Sequence, residues 1–113
     1  MGICAANKTT FIFYSPPQSR HHKVITDAVH EAGGLIAMQI LHTGRYGYHW
    51  WTVSASPVKA PIGWSTPKEL SSREVYSTID DFARCAALAK EAGYDGVEVM
   101  GSEGYFINQF LVE

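Results

Sequence analysis

Residues 93–111, GYDGVEVMGSEGYFINQFL, contain the pattern that decides the fold. Gly93 suits the left-handed conformation that closes a helix, and Asp95-Gly96 is typical of a turn. The short and mostly apolar run Val97–Met100 then predicts a buried strand, which the following glycines end. This stretch therefore predicts a helix end, a strand and a loop that presents polar side chains.

Glu103 and Tyr105 lie in that loop, just past the C-terminal end of the predicted strand. In an α/β barrel, the loops that follow the strands line the mouth, where the chemistry takes place. Tyr105 is most simply a half-buried aromatic residue, but a phenol also acts as a general acid when a pocket orders it. Glu98, within the strand, either pairs with a neighbour or points into a barrel interior.

A helix precedes this strand. Ser71 and Glu74 have the spacing of a capping box, with a hydroxyl at the N-cap and a carboxylate three residues later. Apolar residues then recur at three- and four-residue spacing over residues 75–89, which predicts a helix that ends near Ala92.

An earlier helix and strand repeat this order. Ser19 is a candidate N-cap for a helix to about Ala32. The almost continuous apolar run Leu35–Leu41 then predicts a strand buried on both faces, as in a parallel sheet. Gln39 interrupts this run, and burying an amide without partners costs roughly 1–3 kcal/mol. We therefore favour ligand contact over a merely structural contact for Gln39.

His42 and Arg45 come directly after this strand, and a loop rich in tyrosine and tryptophan continues to about Pro67. A positive group at a strand end is suited to a phosphate or carboxylate, although Arg45 is equally a solvated charge. His42 is more often a packed or capping residue than a catalyst. The aromatic side chains either line a pocket mouth or pack the loop onto the scaffold, with equal weight.

The order helix, strand, long loop, helix, strand indicates parallel strands joined by crossover helices. If the two strands are neighbours, the polar groups at their ends share one rim. This order does not separate a barrel from an open sheet. Residues 10–14 have the composition of a further strand, which Pro16 and Pro17 would stop. Four histidines show no metal-ligand spacing and are expected at the surface: His21, His22, His30 and His49.

The bulk composition excludes several classes of protein. The 113 residues are 46% hydrophobic and 18% charged, as in an ordinary soluble domain. A net charge of -2 gives no basis for binding nucleic acid or an anionic membrane. No apolar run is long enough to span a bilayer. Cys4 and Cys85 lack the spacing of a metal site, and we expect reduced thiols in a cytoplasmic protein.

Five separated motifs occur together: Gln39–Arg45 (QILHTGR), Ala60-Pro61, Glu69–Ser71 (ELS), Ile79–Ala86 (IDDFARCA) and Ala92–Tyr105 (AGYDGVEVMGSEGY). In this order they resemble the Old Yellow Enzyme family of flavin oxidoreductases, and most closely its bacterial 2,4-dienoyl-CoA reductases. The resemblance covers residues 21–113, a partial FMN-binding domain. Residues 1–20 do not resemble the family's preceding segment and stay unassigned.

The resemblance implies an α/β fold that is a fragment of a (β/α)8 TIM barrel, about strands 3 and 4 with their helices. FMN would lie at the C-terminal rim of this barrel. Gln39 matches the glutamine that hydrogen-bonds the flavin pyrimidine edge, where an amide both donates and accepts. Tyr105 matches the tyrosine that protonates one substrate carbon while flavin N5 delivers hydride to the other. His42 and Arg45 match a His-x-Gly-Arg motif without an assigned step.

Two positions depart from the family pattern. Many members have His at the position of Met100 and His or Asn at the position of Glu103, where these side chains hold a carbonyl oxygen. The absence of both donors agrees with the dienoyl-CoA reductase branch and disfavours a simple enone reductase. In that branch, Glu103 would tune or orient the proton donor.

The resemblance also implies groups outside these 113 residues. A full-length dienoyl reductase would hold FAD, a 4Fe-4S cluster and NAD(P)H, and would act on a small enoyl or dienoyl thioester. Because two strands cannot close a barrel, we expect the chain alone to be inactive and poorly folded. The alternatives are a truncated, non-catalytic paralogue that serves as a binding or structural module, and a TIM-barrel enzyme without flavin. The motifs around Gln39 and Tyr105 argue against the second alternative.

Overall fold

The computed structural model describes residues 16–112. Two short 3-10 helices, Gly44–Tyr46 and Asn108–Phe110, lie in the loops that follow the first and last strands. The strand predicted at residues 10–14 lies outside the described residues. Neither of the two described α-helices has the length and apolar character needed to cross a membrane. The other elements are α1 (Pro16–Glu31), β1 (Ala37–Ile40), β2 (Val53–Ser54), β3 (Lys68–Glu69), α2 (Ser72–Glu91) and β4 (Gly96–Val99).

β1 and β4 form a parallel pair, with Gln39 opposite Glu98. The connection between them contains α2, as parallel strands require a long crossover. The segments that follow β1 and β4 stay adjacent beyond the strands, because the Phe106 N–H donates to the His42 carbonyl at 3.0 Å. The predicted parallel arrangement is confirmed, and the C-terminal ends of both strands lie at one edge.

α2 begins and ends where its local sequence predicts. The Glu74 N–H donates to Ser71 Oγ at 3.4 Å, and the Ser71 N–H donates to the Glu74 carboxylate at 2.9 Å, so both halves of the capping box form. Hydrogen bonds from Lys68 and then Ser71 lower the pKa of Glu74 to about 2. At the other end, Gly93 has a φ of +86°, the left-handed conformation that closes the helix.

The core lies between α2 and one face of the strand pair. Met38 and Ile40 are buried there with Leu88 and Ala89 of α2. On the other face of β1, Gln39 is only half-buried. All four residues of β4 are exposed. The prediction of a strand buried on both faces is therefore wrong for residues 16–112, because packing against α2 covers one face.

α1 begins at Pro16, three residues before the predicted N-cap, and Ser19 is buried within the helix. Proline is tolerated in a first helical turn, where its missing N–H would have no partner. The prolines expected to stop a strand therefore begin a helix. Val24 and Ile25 are 74% and 52% exposed, so these two apolar side chains of α1 are largely uncovered.

The long loop is more ordered than its composition predicts. β2 and β3 pair in parallel within it, and the Lys68 N–H donates to the Thr52 carbonyl at 2.9 Å. Sequence periodicity cannot reveal strands of two residues, because they contain no repeat.

Cys85 is buried in the core and is disulfide-bonded. The expectation of a reduced thiol is therefore wrong for this residue, while Cys4 lies outside the described residues. Sequence separation does not show which thiols are close enough in space to join.

Thr26 holds α1 against the end of α2. Its side chain is fully buried, and its Oγ1 donates to the carbonyl of Ala92 at 2.6 Å. Ala92 is also fully buried. The hydroxyl thus satisfies a carbonyl at the helix end that water cannot reach.

We expect Thr26→Val to lower the free energy of unfolding by about 1–3 kcal/mol, because the buried Ala92 carbonyl loses its donor. Thr26→Ser keeps the hydroxyl and is the matched control. Urea denaturation followed by circular dichroism measures both variants. Equal stability of the two would contradict this role of Thr26, and the absence of a cooperative wild-type transition would support the expectation that the chain is poorly folded in isolation.

Candidate functional site

The parallel pairing brings the two predicted sets of polar residues to one rim. Gln39 and Glu98 are paired in register near the strand ends, and His42 follows β1. Glu103 and Tyr105 lie in the loop after β4, which the Phe106–His42 backbone hydrogen bond ties to the loop after β1. The prediction of a shared rim is therefore confirmed.

Gln39 has one satisfied and one unsatisfied end. Its Nε2 donates to Glu98 Oε2 at 3.1 Å, so Glu98 pairs with a neighbour, one of the two predicted alternatives. Its Oε1 is buried and accepts no hydrogen bond within residues 16–112. The side chain lies on the face of β1 opposite Met38 and Ile40, because successive strand residues alternate. Gln39 thus offers a free acceptor on the face that α2 does not cover.

His42 is packed, as expected of a histidine at a strand end, but it keeps an unused donor. The ring is only 6% exposed, stacks on Phe106 with centroids 4.1 Å apart, and accepts the Gly44 N–H at Nδ1 at 2.9 Å. Burial, and then the nearby His49, lowers the pKa of His42 to about 4. The ring is therefore neutral at pH 7, and its proton lies on Nε2 because Nδ1 accepts. Nε2 has no partner among the described residues.

Arg45 and two tyrosines form a layered contact beside His42. The Arg45 guanidinium carbon lies 5.4 Å from the centroid of the Tyr46 ring, within the range of a cation–π interaction. The Tyr46 ring meets Tyr105 edge-on, with centroids 6.3 Å apart. Arg45 is half-buried, and its Nε has no partner within the described part of the chain. The structure therefore connects Arg45 to Tyr105 through Tyr46.

The turn that carries Tyr105 has two residues in the left-handed region. Glu103 has a φ of +62° and Gly104 a φ of +78°. The Gly104 N–H donates to Asn108 Oδ1 at 2.8 Å, which stabilises the turn. Tyr105 is half-buried, whereas Glu103 is exposed and has no hydrogen bond or ion pair within residues 16–112. The structure thus places Tyr105 at the rim and Glu103 at its solvent side.

The aromatic residues of the long loop pack mainly on one another. The Tyr48 and Trp64 rings meet edge-on at 5.7 Å, and Trp50 lies 6.3 Å from Trp64, yet all three are exposed. Trp50 and Trp51 line a cavity of about 480 Å³ beside the start of α2. This cavity contains none of the predicted site residues. Neither predicted role, lining the mouth of the site or packing the loop onto the scaffold, therefore describes these side chains fully.

Buried polar atoms without partners are concentrated in one segment of the described chain. Native proteins pair most such atoms, so each unpaired one needs an explanation. The five atoms are Gln39 Oε1, His42 Nε2, Arg45 Nε, His49 Nδ1 and Thr52 Oγ1. His49 and Thr52 were not predicted as site residues, and His49 is half-buried although it was expected at the surface. The segment from β1 through the following loop is therefore where further polar partners are missing.

Gln109 is the site-region residue that the sequence analysis missed. It is only 8% exposed and hydrogen-bonds to three separate segments near Tyr105. Its signal in the sequence is weaker than that of Gln39, because a second amide, Asn108, precedes it in the otherwise apolar stretch 106–112.

The family model of the NADH:flavin oxidoreductase / NADH oxidase family matches residues 5–113. The chain belongs to this family. It is 40% identical to the N,N-dimethylglycine/sarcosine dehydrogenase of Chromohalobacter salexigens over 80% of its length, and 38% identical to 12-oxophytodienoate reductase 1 of Oryza sativa subsp. japonica over 87%. The solved structure of the Old Yellow Enzyme homologue from Zymomonas mobilis covers 98% of the chain with a TM-score of 0.88 and 27% identity. The fold is therefore a fragment of the Old Yellow Enzyme TIM barrel.

The chain spans only part of these relatives. It corresponds to 14% of the Chromohalobacter protein, 29% of the rice protein and 37% of the Zymomonas chain. The remaining strands of the barrel, and any groups they contribute to a site, have no counterpart in residues 16–112.

The rim fits FMN, the cofactor of the family. A flavin pyrimidine edge presents an N–H donor next to carbonyl acceptors, and Gln39 Oε1 is a buried acceptor without a partner. His42 Nε2 and Arg45 Nε are buried donors that also have no partner among the described residues. This set of one acceptor and two donors is suited to the polar edge of a planar heterocycle.

We expect the free energy of unfolding to fall as the pH is lowered from 6.5 to about 4, by on the order of 3 kcal/mol from His42 alone. The pKa of His42 is lowered to about 4 in the folded state, so the unfolded chain binds the proton first and is stabilised. His42→Gln should remove this part of the pH dependence, which urea denaturation at several pH values measures. His21→Gln, at an exposed position of α1, is the control, and identical pH profiles for wild type and His42→Gln would contradict the assignment.

Proposed function

We propose that residues 16–112 form the β1–β4 part of an FMN site in an oxidoreductase that reduces conjugated carbon–carbon double bonds. The observation that carries the proposal is the buried, unpartnered Oε1 of Gln39, on the rim shared with Tyr105. Membership of the NADH:flavin oxidoreductase family supports FMN as the cofactor. Bound FMN would supply the hydride to the substrate.

Gln39 would bind the pyrimidine edge of the flavin. An amide offers both an acceptor and a donor, as this edge requires. The Glu98 carboxylate holds Nε2 at 3.1 Å and thereby orients the amide, leaving Oε1 as the free acceptor. Glu98 is thus a positioning residue for Gln39 in this proposal.

Tyr105 would donate the proton that completes the reduction. A phenol O–H is a hydrogen-bond donor, and the Tyr46 ring packs against Tyr105 edge-on and limits its orientations. Arg45 lies over the other ring of this pair. Glu103 would orient the Tyr105 phenol. Its position two residues before Tyr105, in the same turn, supports this role.

His42 and Arg45 would hold polar groups of the flavin or the substrate. The neutral His42 ring presents an N–H at Nε2, and the Arg45 guanidinium is always charged. Both are donors without partners within residues 16–112. Acceptors such as carbonyl or phosphate oxygens are the groups that such donors bind.

The finer assignment is a 2,4-dienoyl-CoA reductase that acts on an enoyl or dienoyl thioester. Met100 and Glu103 support it, because neither supplies the carbonyl-binding His or Asn of many family members. The relatives have names as different as a dimethylglycine/sarcosine dehydrogenase and an oxophytodienoate reductase, so family membership alone does not select a substrate. NAD(P)H as reductant, FAD and a 4Fe-4S cluster belong to the same proposal, for parts of a longer protein.

The chain by itself should catalyse no multiple-turnover reduction of a dienoyl-CoA with NADPH and FMN, since it spans 14–29% of its curated relatives. An assay of NADPH consumption measures this. Sustained turnover would refute it. The alternative function, a truncated, non-catalytic paralogue that serves as a binding or structural module, predicts the same inactivity for this chain.

If the purified chain retains FMN after free flavin is removed, we expect Gln39→Ala to weaken binding roughly tenfold, since a buried hydrogen bond contributes about 1.5 kcal/mol. Visible absorbance of the washed protein measures retention. Glu69→Ala, at an exposed position of β3, is the control. Equal retention by Gln39→Ala and the wild type would contradict the role of Gln39, and no retention by the wild type would assign the site to the longer protein.

A further inference from the structure

Gln109 lies in the 3-10 helix Asn108–Phe110, between Asn108 and the apolar residue Phe110. Its side chain is buried, although a glutamine is usually exposed. Burial of an amide is tolerated when its donor and acceptor are both paired. The partners of this amide therefore show what its burial achieves.

The amide of Gln109 joins three segments. Its Oε1 accepts from Ser54 Oγ at 2.9 Å and from the Arg45 N–H at 3.2 Å. Its Nε2 donates to the Gly104 carbonyl at 2.6 Å. One side chain thus connects β2, the loop after β1 and the turn after β4. Only a group that donates at one end and accepts at the other satisfies all three contacts.

Gly44 shows how closely this amide is packed. Gly44 has a φ of +57°, and a Cβ at this position would lie 2.3 Å from Gln109 Oε1. A side chain at this position would displace the amide, so the backbone of the His42–Tyr46 loop lies directly against it.

Two of the three contacts act on the environment of the proposed proton donor. Gly104 directly precedes Tyr105, so the hydrogen bond to its carbonyl fixes the turn from which the phenol projects. Arg45 directly precedes Tyr46, whose ring packs edge-on against Tyr105. We infer that Gln109 is a positioning residue that holds Tyr105 and its neighbour Tyr46 in a fixed arrangement. This inference rests on the proposed function of Tyr105.

The test observes Tyr105 directly and needs neither flavin nor turnover. The chain is labelled with 3-fluorotyrosine, and the Tyr105 fluorine resonance is assigned by its loss in Tyr105→Phe. Gln109→Leu keeps the size of the side chain but removes all three hydrogen bonds. Thr26→Val is the matched control, because Thr26 is a fully buried residue of α1 whose hydroxyl donates to the Ala92 carbonyl at the end of α2, and its loss also destabilises the chain. We expect Gln109→Leu to shift or broaden the Tyr105 resonance and Thr26→Val to leave it unchanged.

Gln109→Glu separates positioning from general destabilisation. As a carboxylate, the introduced side chain lacks the donor for the Gly104 carbonyl, whereas the protonated acid regains an O–H there. We expect the Tyr105 resonance of this variant to be displaced at high pH and to return toward the wild-type position as the pH falls. Wild-type protein over the same pH range is the reference.

Three results would overturn the inference: an unchanged Tyr105 resonance in Gln109→Leu, an equal change in Thr26→Val, or a wild-type resonance at the position of free fluorotyrosine. Failure of the proposed function is a separate observation. If the wild type retains no FMN but its Tyr105 resonance depends on Gln109, the positioning holds and the flavin assignment for this chain does not.

Discussion

The parallel pairing of β1 with β4 is the constraint on which the rest of the structure depends. It requires a long crossover, which α2 supplies, and it brings the C-terminal ends of both strands to one edge. Because residues alternate along a strand, the same pairing sends Met38 and Ile40 into the core beneath α2 and leaves Gln39 and Glu98 together on the opposite face. Core and rim are therefore two consequences of one register.

The exposed apolar surface of this structure follows from its share of the barrel. Val97 and Val99 are 39% and 49% exposed on β4, and Leu35 is 83% exposed before β1. An apolar groove of about 340 Å³ lies between α2 and the loop after β4, lined by residues such as Phe82 and Phe110. A complete (β/α)8 barrel covers such faces with further strands and helices. In the Zymomonas mobilis structure the matched region makes up 37% of the chain.

The rim is held together by hydrogen bonds between loops, whereas the core is held together by apolar packing. The loops after β1 and β4 are held by a backbone hydrogen bond at Phe106 and by the amide of Gln109, which serves three segments at once. These contacts leave Gln39 Oε1 and His42 Nε2 without partners. Unpaired groups beside loops that hydrogen bonds hold together are typical of a site that binds a ligand, because the hydrogen bonds keep these groups in place before the ligand binds.

Local sequence by itself determined the features that depend on neighbouring residues. The capping box at Ser71 and Glu74, the left-handed Gly93 and the apolar run of β1 were predictable because each needs only a few adjacent residues. The start of α1 at Pro16 was not predictable, because a proline can either end a strand or occupy the first turn of a helix.

Only the tertiary structure decided which polar groups meet. Gln39 and Gln109 are both glutamines in largely apolar stretches, yet Gln39 keeps an unpaired acceptor and Gln109 forms hydrogen bonds through both its Oε1 and its Nε2. The pairing of Val53–Ser54 with Lys68–Glu69 and the disulfide bond of Cys85 were likewise invisible in the sequence. The physical reason is common to all of these: hydrogen bonds and covalent cross-links depend on distances between residues far apart in the chain, which local periodicity does not record.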